Sequence, residues 1–187
     1  MIQKFNFNFI ANYNIDKIKN IVSQFKDEWL VNTERQQNYE EHQKTYSYFI
    51  YDYDLNWKAN NPYEMIVATK NIELINSVDF IVKDLEKKYN GKVGRVILTK
   101  LVAKGEIPFH VDSGDYLIMS HRNHIPIISN DTSFSVGGET IEMKEGECWE
   151  INNSKIHNVK NNSTLDRVHL IIDILPNEII GEGNVRI

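Results

Sequence analysis

The second half of the chain consists of short β-type runs separated by turn residues, and this pattern restricts the fold more than any other feature. After Gly94, runs rich in Val, Ile and Thr alternate with Gly, Asn and Ser. Short strands at this spacing, without an internal repeat, are typical of a sandwich or a jelly roll. We predict strands over 95–103, 107–112, 116–128, 132–136, 139–143, 147–151, 155–160 and 167–175.

The first half is mainly helical in its periodicity. Residues 2–10 alternate with period 2, and residues 45–51 are aromatic and β-rich, so both predict strands. Apolar residues recur at helical spacing over 15–30 and 72–89, which predicts two amphipathic helices. The whole chain therefore predicts an α+β fold, mainly β, with a double-stranded β-helix (jelly-roll or cupin-like) core supported by N-terminal helices. We expect Phe7, Phe9, Trp29 and the other apolar residues of the two helical stripes, from Ile15 and from Ile72 onward, to lie in the core.

The length of 187 residues suits one domain. We expect residues 1–187 to form a single domain with three parts. Residues 1–92 would supply strand and helix support and a lid, and residues 93–176 the jelly-roll core that carries the site. Residues 177–187 would form a C-terminal tail.

Charge and cysteine content exclude several classes of protein. Lys and Arg total 21 against 26 Asp and Glu, a net charge of −5. Phosphate binding requires a basic face, so we expect no nucleic-acid partner. Cys148 is the single cysteine, so no disulfide within the chain and no Cys-rich zinc site can form, as suits a reducing cytoplasm. No apolar run approaches the roughly 18 residues of a membrane span, so we expect a cytoplasmic protein without a membrane partner.

Histidines are concentrated in the β-rich half. Five of the six lie between residues 110 and 169. On a strand, residues i and i+2 share a face, so His110 and Asp112 project together while Val111 points away. His157, on a later predicted strand, can complete the facial triad of non-haem Fe(II) oxygenases, which leaves positions open for a cosubstrate and dioxygen. A His-x-Asp motif by itself arises often by chance, so its strand context and the later histidine are what indicate a metal site.

Two of the five arginines, Arg122 and Arg167, lie in the same histidine-rich region. A guanidinium binds a carboxylate through two parallel N–H donors, so either residue could hold an anionic metal chelator. The alternative for both is an ordinary surface charge on a strand.

These residues belong to a longer pattern that resembles the aspartyl/asparaginyl β-hydroxylase family of 2-oxoglutarate oxygenases, which also includes hydroxylases of free proline. The resemblance covers about 80 residues in matching order and spacing. Its segments are IPFHVD (107–112), RNHIPI (122–127), GECWEIN (146–152), HNVKN (157–161) and RVHLIID (167–173).

The resemblance implies a metal centre and its chemistry. His110, Asp112 and His157 would bind Fe(II) and form the catalytic centre, with 2-oxoglutarate as cosubstrate and O2 as oxidant. Oxidative decarboxylation of 2-oxoglutarate to succinate and carbon dioxide would accompany hydroxylation of the substrate. Some members lack the iron-binding carboxylate, whereas Asp112 makes this chain similar to those with the full triad.

The resemblance also implies a cosubstrate site. Arg167 would bind the distal carboxylate of 2-oxoglutarate. Arg122 and His124 share one strand face, and the family uses the matching pair at the cosubstrate.

Three functions stay open on the sequence. The first is hydroxylation of an aspartyl/asparaginyl-type side chain in a peptide or protein, and the second is hydroxylation of a free amino acid such as proline. The third is a non-catalytic, cupin-like protein that binds a metal or ligand. A wide groove would favour a peptide, and a closed, charged pocket with an arginine for the substrate carboxylate would favour a free amino acid.

Several residues have open roles. We expect His169 to be packed or hydrogen-bonded and His121 to point away from the site. His42 fits a surface position, and Arg95 could face the pocket or solvent. Arg35 could meet a substrate carboxylate from a lid, within the stretch 31–64 where we expect substrate selection. The sequence predicts neither the substrate and the hydroxylated carbon nor the oligomeric state.

Overall fold

The computed structural model describes residues 3–53 and 65–180. Over these ranges the chain forms eleven strands in two antiparallel sheets. The strands are β1 Phe7–Asn12, β2 Thr45–Tyr53, β3 Met65–Val67, β4 Gly91–Leu101, β5 Glu106–His110, β6 His121–Ile128, β7 Thr132–Val136, β8 Glu139–Ile141, β9 Glu147–Ile151, β10 His157–Asn161 and β11 Arg167–Pro176.

Helices flank the sheets and connect some of their strands. The α-helices are α1 Asp16–Val22, α2 Glu34–Asn38, α3 Ile72–Tyr89, α4 Asp115–Met119 and α5 Asn177–Ile180. Two 3-10 turns, Asp27–Leu30 and Glu40–His42, flank α2. No helix in residues 3–53 and 65–180 combines the length and the apolar character needed to cross a membrane.

The two sheets form the predicted jelly-roll core. The major sheet has the order β1-β9-β6-β11-β4-β2-β3, and the minor sheet has the order β5-β10-β7-β8. Strands from the first half of the chain complete the major sheet, since β1 pairs with β9 and β2 pairs with β4. The α+β, mainly β prediction is therefore confirmed.

Alternating side chains of β11 separate the core from the cavity. Val168, Leu170, Ile172 and Ile174 join the large apolar cluster beneath α1 and α3. The intervening side chains face the minor sheet, because successive residues of a strand point to opposite faces. This strand is buried over its whole length, which explains its nearly continuous apolar run.

A second apolar cluster lies between the sheets. Its buried members come from both sheets and the connection between them: Leu101, Phe134, Val136, Met143, Ile151 and Val159. Phe134, Ile151 and Val159 also line a cavity between the sheets together with polar side chains.

Helix α3 has the predicted bounds of 72–89, and both ends have the expected signals. The Asn71 side chain accepts a hydrogen bond from Leu74 N at 2.9 Å, which caps the first turn. Asn90 ends the helix in the left-handed region at φ 45°, and Lys87 and Lys88 lie in the last turn.

Several predicted elements differ from the structure, and the differences in three of them are large or change the type of element. The helix predicted over 15–30 ends at Val22 and is followed by the 3-10 turn, which still buries Trp29 at 4% exposure. The strand predicted over 116–128 begins at residue 121, because residues 115–119 form α4 and bury Tyr116 instead. The first strand runs over 7–12 instead of 2–10.

Two predicted core residues are exposed. Ile72, the first residue of α3, is 63% exposed. Phe9 is 45% exposed, so its assignment to the core is wrong. The register of β1 shifts between Phe9 and Ala11, and the Phe9 ring packs edge-on against Trp149 at the surface, with ring centroids 5.2 Å apart. Phe7 is half-buried against the inter-sheet cluster.

Candidate active site

The three predicted metal-binding side chains lie together between the sheets. One ligand atom from each of His110, Asp112 and His157 lies within 4.8 Å of the others. The Nε2 atom of His110 is 3.8 Å from Asp112 Oδ1, and that of His157 is 3.9 Å from the same oxygen. Two imidazole nitrogens and a carboxylate oxygen at these separations fit a divalent transition metal.

Strand pairing brings the two histidines together. His110 lies opposite His157 in the antiparallel register of β5 and β10. Asp112 lies just beyond the end of β5, so the strand predicted over 107–112 is two residues too long. The backbone N–H of Asp112 donates to Asn153 O at 3.2 Å, and this bond holds the chain where the carboxylate reaches both rings.

Backbone carbonyl groups orient both imidazoles. The Nδ1 atom of His110 is 2.8 Å from Pro108 O, and that of His157 is 2.8 Å from Lys155 O. A carbonyl oxygen only accepts, so each Nδ1 donates and each Nε2 keeps its lone pair for a metal. This second contact is the usual device that orients metal-binding histidines.

Arg122, on β6, holds the free oxygen of the triad carboxylate. Its Nη1 donates to Asp112 Oδ2 at 2.7 Å. Its Nε and Nη2 donate to the two oxygens of Asp173 at 2.9 Å each. Asp112 therefore presents Oδ1 to the histidines while Oδ2 is occupied, and Asp173 is fully buried behind the arginine.

Asp173 is a site residue that the sequence-based prediction missed. It lies on β11 with the same parity as Arg167 and His169, so all three face the interior. An acidic residue inside an apolar strand was the available signal, because a buried carboxylate requires a partner.

The charge state of Asp112 depends on these neighbours. Burial by itself would raise the pKa of the Asp112 carboxyl. The Arg122 guanidinium, followed by His157 and His110, outweighs burial and lowers this pKa below its ordinary value. The carboxylate is thus ionised at neutral pH, as a metal ligand must be.

Arg167 lies at the closed end of the cavity without a negatively charged partner in the described part of the chain. It is 3% exposed, its Nη2 donates to His169 Nδ1 at 2.8 Å, and its Nε has no partner. The guanidinium carbon lies 5.9 Å from the centre of the Phe134 ring. Burial lowers the pKa of Arg167 to about 9. The expected hydrogen-bonded environment of His169 is confirmed.

His124 lies beside it with both ring nitrogens buried and unpartnered. Burial, and then the charges of Arg122 and Arg167, lower the pKa of His124 well below its usual value. The ring is therefore neutral and offers one N–H donor. Buried polar groups without partners are rare, so a donor in this position indicates room for a ligand.

These side chains line an inner cavity that opens into an outer cleft. Arg167 and His124 line only the inner cavity and not the outer cleft. His110, Asp112 and Arg122 line both spaces. The triad therefore lies where the two spaces meet.

The stretch 31–44 contributes two further side chains. His42 lines both spaces, with its ring centroid 6.1 Å from that of His110, so the expectation that it lies at the surface is wrong. Arg35, on α2, places Nη2 2.8 Å from His42 Nε2 and donates from Nη1 to Ser47 Oγ at 3.4 Å. Burial, and then the charges of Arg35 and His110, lower the pKa of His42 to about 3.

Arg95 faces the outer cleft. It forms an ion pair with Asp52, with Nη2 and Oδ1 3.0 Å apart, and its guanidinium lies over the rings of Phe49 and Tyr116. Of the two positions that the sequence left open, the structure places it at the pocket.

His121 lies on the opposite side of the major sheet from the site, as predicted. His121 places Nδ1 2.5 Å from Glu150 Oε1, and its ring stacks on Tyr89. Cys148 is fully buried in the large apolar cluster.

The chain belongs to the aspartyl/asparaginyl β-hydroxylase family, whose sequence pattern matches residues 13–176. Membership of this family identifies the protein as an enzyme, a 2-oxoglutarate-dependent hydroxylase. It therefore argues against the third function left open by the sequence, a non-catalytic binding protein. No curated protein matches the sequence.

Two solved structures share the fold. A 2OG-Fe(II) oxygenase family oxidoreductase from Burkholderia pseudomallei is 11% identical, with a TM-score of 0.54 over 76% of this chain and 71% of that one. The viral collagen prolyl hydroxylase of Paramecium bursaria Chlorella virus-1, in its 2OG complex, is 8% identical, with a TM-score of 0.54 over 92% of this chain and 97% of that one. These likenesses confirm the jelly-roll fold.

Proposed function

We propose that the protein is an Fe(II)- and 2-oxoglutarate-dependent dioxygenase that hydroxylates an aspartyl/asparaginyl-type amino-acid side chain. One observation carries the proposal: the triad of His110, Asp112 and His157 opens onto a cavity that also contains the unpaired guanidinium of Arg167. A metal centre and a buried cation within one cavity match a chelating dianion such as 2-oxoglutarate.

The triad residues would hold Fe(II). Both Nε2 lone pairs and Asp112 Oδ1 point to one centre, which is the donor set that this ion accepts. With 2-oxoglutarate and dioxygen, iron supplies the oxidation that yields succinate, carbon dioxide and the hydroxylated substrate. The protein contributes the orientation of the ligands, the charge around them and the exclusion of water.

Arg167 and His124 would bind the cosubstrate. The buried guanidinium suits the distal carboxylate, because a charge-assisted pair gains strength where water is excluded. His124 offers a neutral N–H donor on the same wall.

Arg122 has a different role in this proposal from the direct cosubstrate contact that the family resemblance implies. All three of its guanidinium nitrogens already donate to Asp112 or Asp173. We propose that it keeps Asp112 ionised and leaves a single oxygen for the metal, so that open positions remain for the cosubstrate and dioxygen.

The outer cleft would receive the substrate. It lies on the open side of the triad and carries polar side chains from α2 and its flanks: Asn32, Glu34, Arg35, Asn38 and Tyr39. A free amino acid is the alternative substrate, and Arg35 is compatible with it because no carboxylate among the described side chains is bonded to this cation. The buried, unpaired Cys148 is compatible with the proposed cytoplasmic setting.

An anaerobic titration tests the oxygenase centre. We expect Fe(II) followed by 2-oxoglutarate to produce a visible iron-to-ligand charge-transfer band in the wild type, and no band in Asp112→Ala or His157→Ala. Arg167→Met should weaken 2-oxoglutarate binding by about 10- to 100-fold, because charge-assisted hydrogen bonds are lost.

The controls are Asp79→Ala and Lys83→Met, which remove the two ends of an exposed ion pair on α3. Both should give the wild-type band. A wild-type protein that binds the metal and develops no band with 2-oxoglutarate contradicts the proposed cosubstrate, and a normal band in Asp112→Ala contradicts the proposed ligand set.

A further inference from the structure

Four arginines line the inner cavity and the outer cleft. Two of them have carboxylate partners. Arg122 is bonded to Asp112 and Asp173, and Arg95 is bonded to Asp52. The charges of these two arginines are therefore balanced within the protein.

Among the described side chains, the other two arginines contact only neutral groups. Arg167 donates to His169, and Arg35 contacts the Ser47 hydroxyl and the His42 ring. Neither a hydroxyl nor an imidazole carries negative charge. Arg167 is 3% exposed, and Arg35 is half-buried. Charges that are removed from water are normally paired or bind a ligand, so each of these guanidinium groups is suited to an anion.

The surroundings of Arg35 disfavour its positive charge. Burial, followed by repulsion from Arg122 and Arg95, lowers the pKa of Arg35 to about 10. The nearest attractive carboxylates, Asp112 and Asp173, already bond to Arg122. A carboxylate from outside the protein would relieve this repulsion and replace the hydration that Arg35 loses.

The two unpaired arginines differ in the spaces that they line. Arg167 lines only the inner cavity, whereas Arg35 lines both the inner cavity and the outer cleft. The 2-oxoglutarate dianion, directed to the triad and Arg167 in the proposed function, leaves Arg35 for a second anion on the side where the substrate enters.

We propose that Arg35 binds a carboxylate of the substrate and so selects an amino acid that carries one. This inference rests on the proposed function, which reserves the inner cavity for the cosubstrate. The carboxylate can belong to a free amino acid or to an aspartyl side chain, since both present the same group. An asparaginyl or other uncharged side chain within a peptide would leave the cation unpaired and bind weakly.

Calorimetry on the full chain loaded with Ni(II) and 2-oxoglutarate tests this, since Ni(II) allows binding without turnover. Each probe pair differs by carboxylate against carboxamide. The pairs are L-proline and L-prolinamide, L-aspartate and L-asparaginamide, and a capped peptide with a single Asp or Asn.

In at least one pair the acid should bind about 10-fold or more tightly than the amide. Arg35→Gln should remove this preference, and Arg35→Lys should keep part of it. Lys83→Gln, which removes an exposed cation on α3, should keep all of it. Preference in the free amino acids or in the peptide pair then identifies the source of the carboxylate.

Equal binding of acids and amides, no binding of any acid, or an unchanged preference in Arg35→Gln would each overturn the inference. So would a large loss of 2-oxoglutarate affinity in Arg35→Gln with normal affinity in Arg167→Met, because Arg35 would then hold the cosubstrate. Failure of the proposed function is distinguishable, since 2-oxoglutarate would then give no binding heat with the Ni(II)-loaded wild type before any probe is added.

Discussion

Asp112 and Arg122 show how far single side chains of this site depend on one another. One carboxylate oxygen faces two imidazoles and the other accepts from Arg122, whose Nε and Nη2 donate to Asp173. Asp173 thus acts on the metal-binding centre through Arg122 without facing the triad. It is a positioning residue, and it keeps the guanidinium from turning fully onto Asp112.

Asp173→Asn tests this role. The amide keeps the shape and loses the charge, so Arg122 should pair with both oxygens of Asp112 and compete with the metal. We expect the affinity for Co(II) or Fe(II) to fall by about 10- to 100-fold, as is usual when a partner of a metal ligand is lost. Competition with a chromophoric chelator measures it, after circular dichroism has shown that the variant is folded.

Asp79→Asn on the exposed surface of α3 is the matched control and should bind metal as the wild type does. An unchanged affinity in folded Asp173→Asn would show that Asp173 only balances charge.

Two neighbouring residues at the junction between α3 and β4 have different structural roles. Asn90 takes the left-handed conformation that ends the helix, at φ 45°. Gly91 is the first residue of β4 and lies against β11, where a Cβ atom would be 2.4 Å from Leu175 O and 2.8 Å from Ile174 Cγ2. The absence of a side chain lets the two central strands approach each other.

Gly91→Ala should therefore destabilise the protein by about 1–3 kcal/mol, the usual cost of overpacking. Asn90→Gly is the matched variant and should change stability by less than about 1 kcal/mol, because glycine accepts positive φ readily. Urea unfolding midpoints compare the two. Equal midpoints for Gly91→Ala and the wild type would contradict the assigned contact.

Because the two sheets enclose buried histidines, the stability of the whole molecule depends on pH. His124 and His169 are 6% and 1% exposed, and burial together with neighbouring charges, Arg167 among them, lowers the pKa of each well below its usual value of 6.5. Both are neutral in the folded protein and become protonated near pH 6.5 when the chain unfolds. The unfolded state therefore binds more protons in acid, and stability is lost as the pH falls below about 6.5.

Each histidine should contribute a loss of about 1.4 kcal/mol per pH unit in that range. Urea unfolding of the metal-free protein at pH 7.5 and at pH 5.5 measures the slope. His169→Gln should show a shallower dependence than the wild type. The same slope in both proteins would mean that His169 is protonated in the folded state.

Much of the fold could be predicted from local patterns. The bounds of α3, β7 and β9 match the prediction, because strong periodicity and turn residues define them over a few neighbouring positions. Predictions that depended on distant packing were wrong: α4 replaces part of a strand because Tyr116 is buried beneath β4, where its hydroxyl accepts from Arg95 N at 2.7 Å.

The sequence by itself determined the mainly β fold, the candidate triad of His110, Asp112 and His157, and Arg167 as a candidate cosubstrate residue. The first two follow from strand alternation and motif spacing, which are properties of neighbouring residues, and the third follows from the family resemblance. Tertiary structure alone decided which charges are balanced. Asp173 binds Arg122 across the paired strands β6 and β11, and Arg35 reaches the cavity from α2. These contacts could not be predicted, because electrostatic partners are set by proximity in space, which spacing along the chain does not encode.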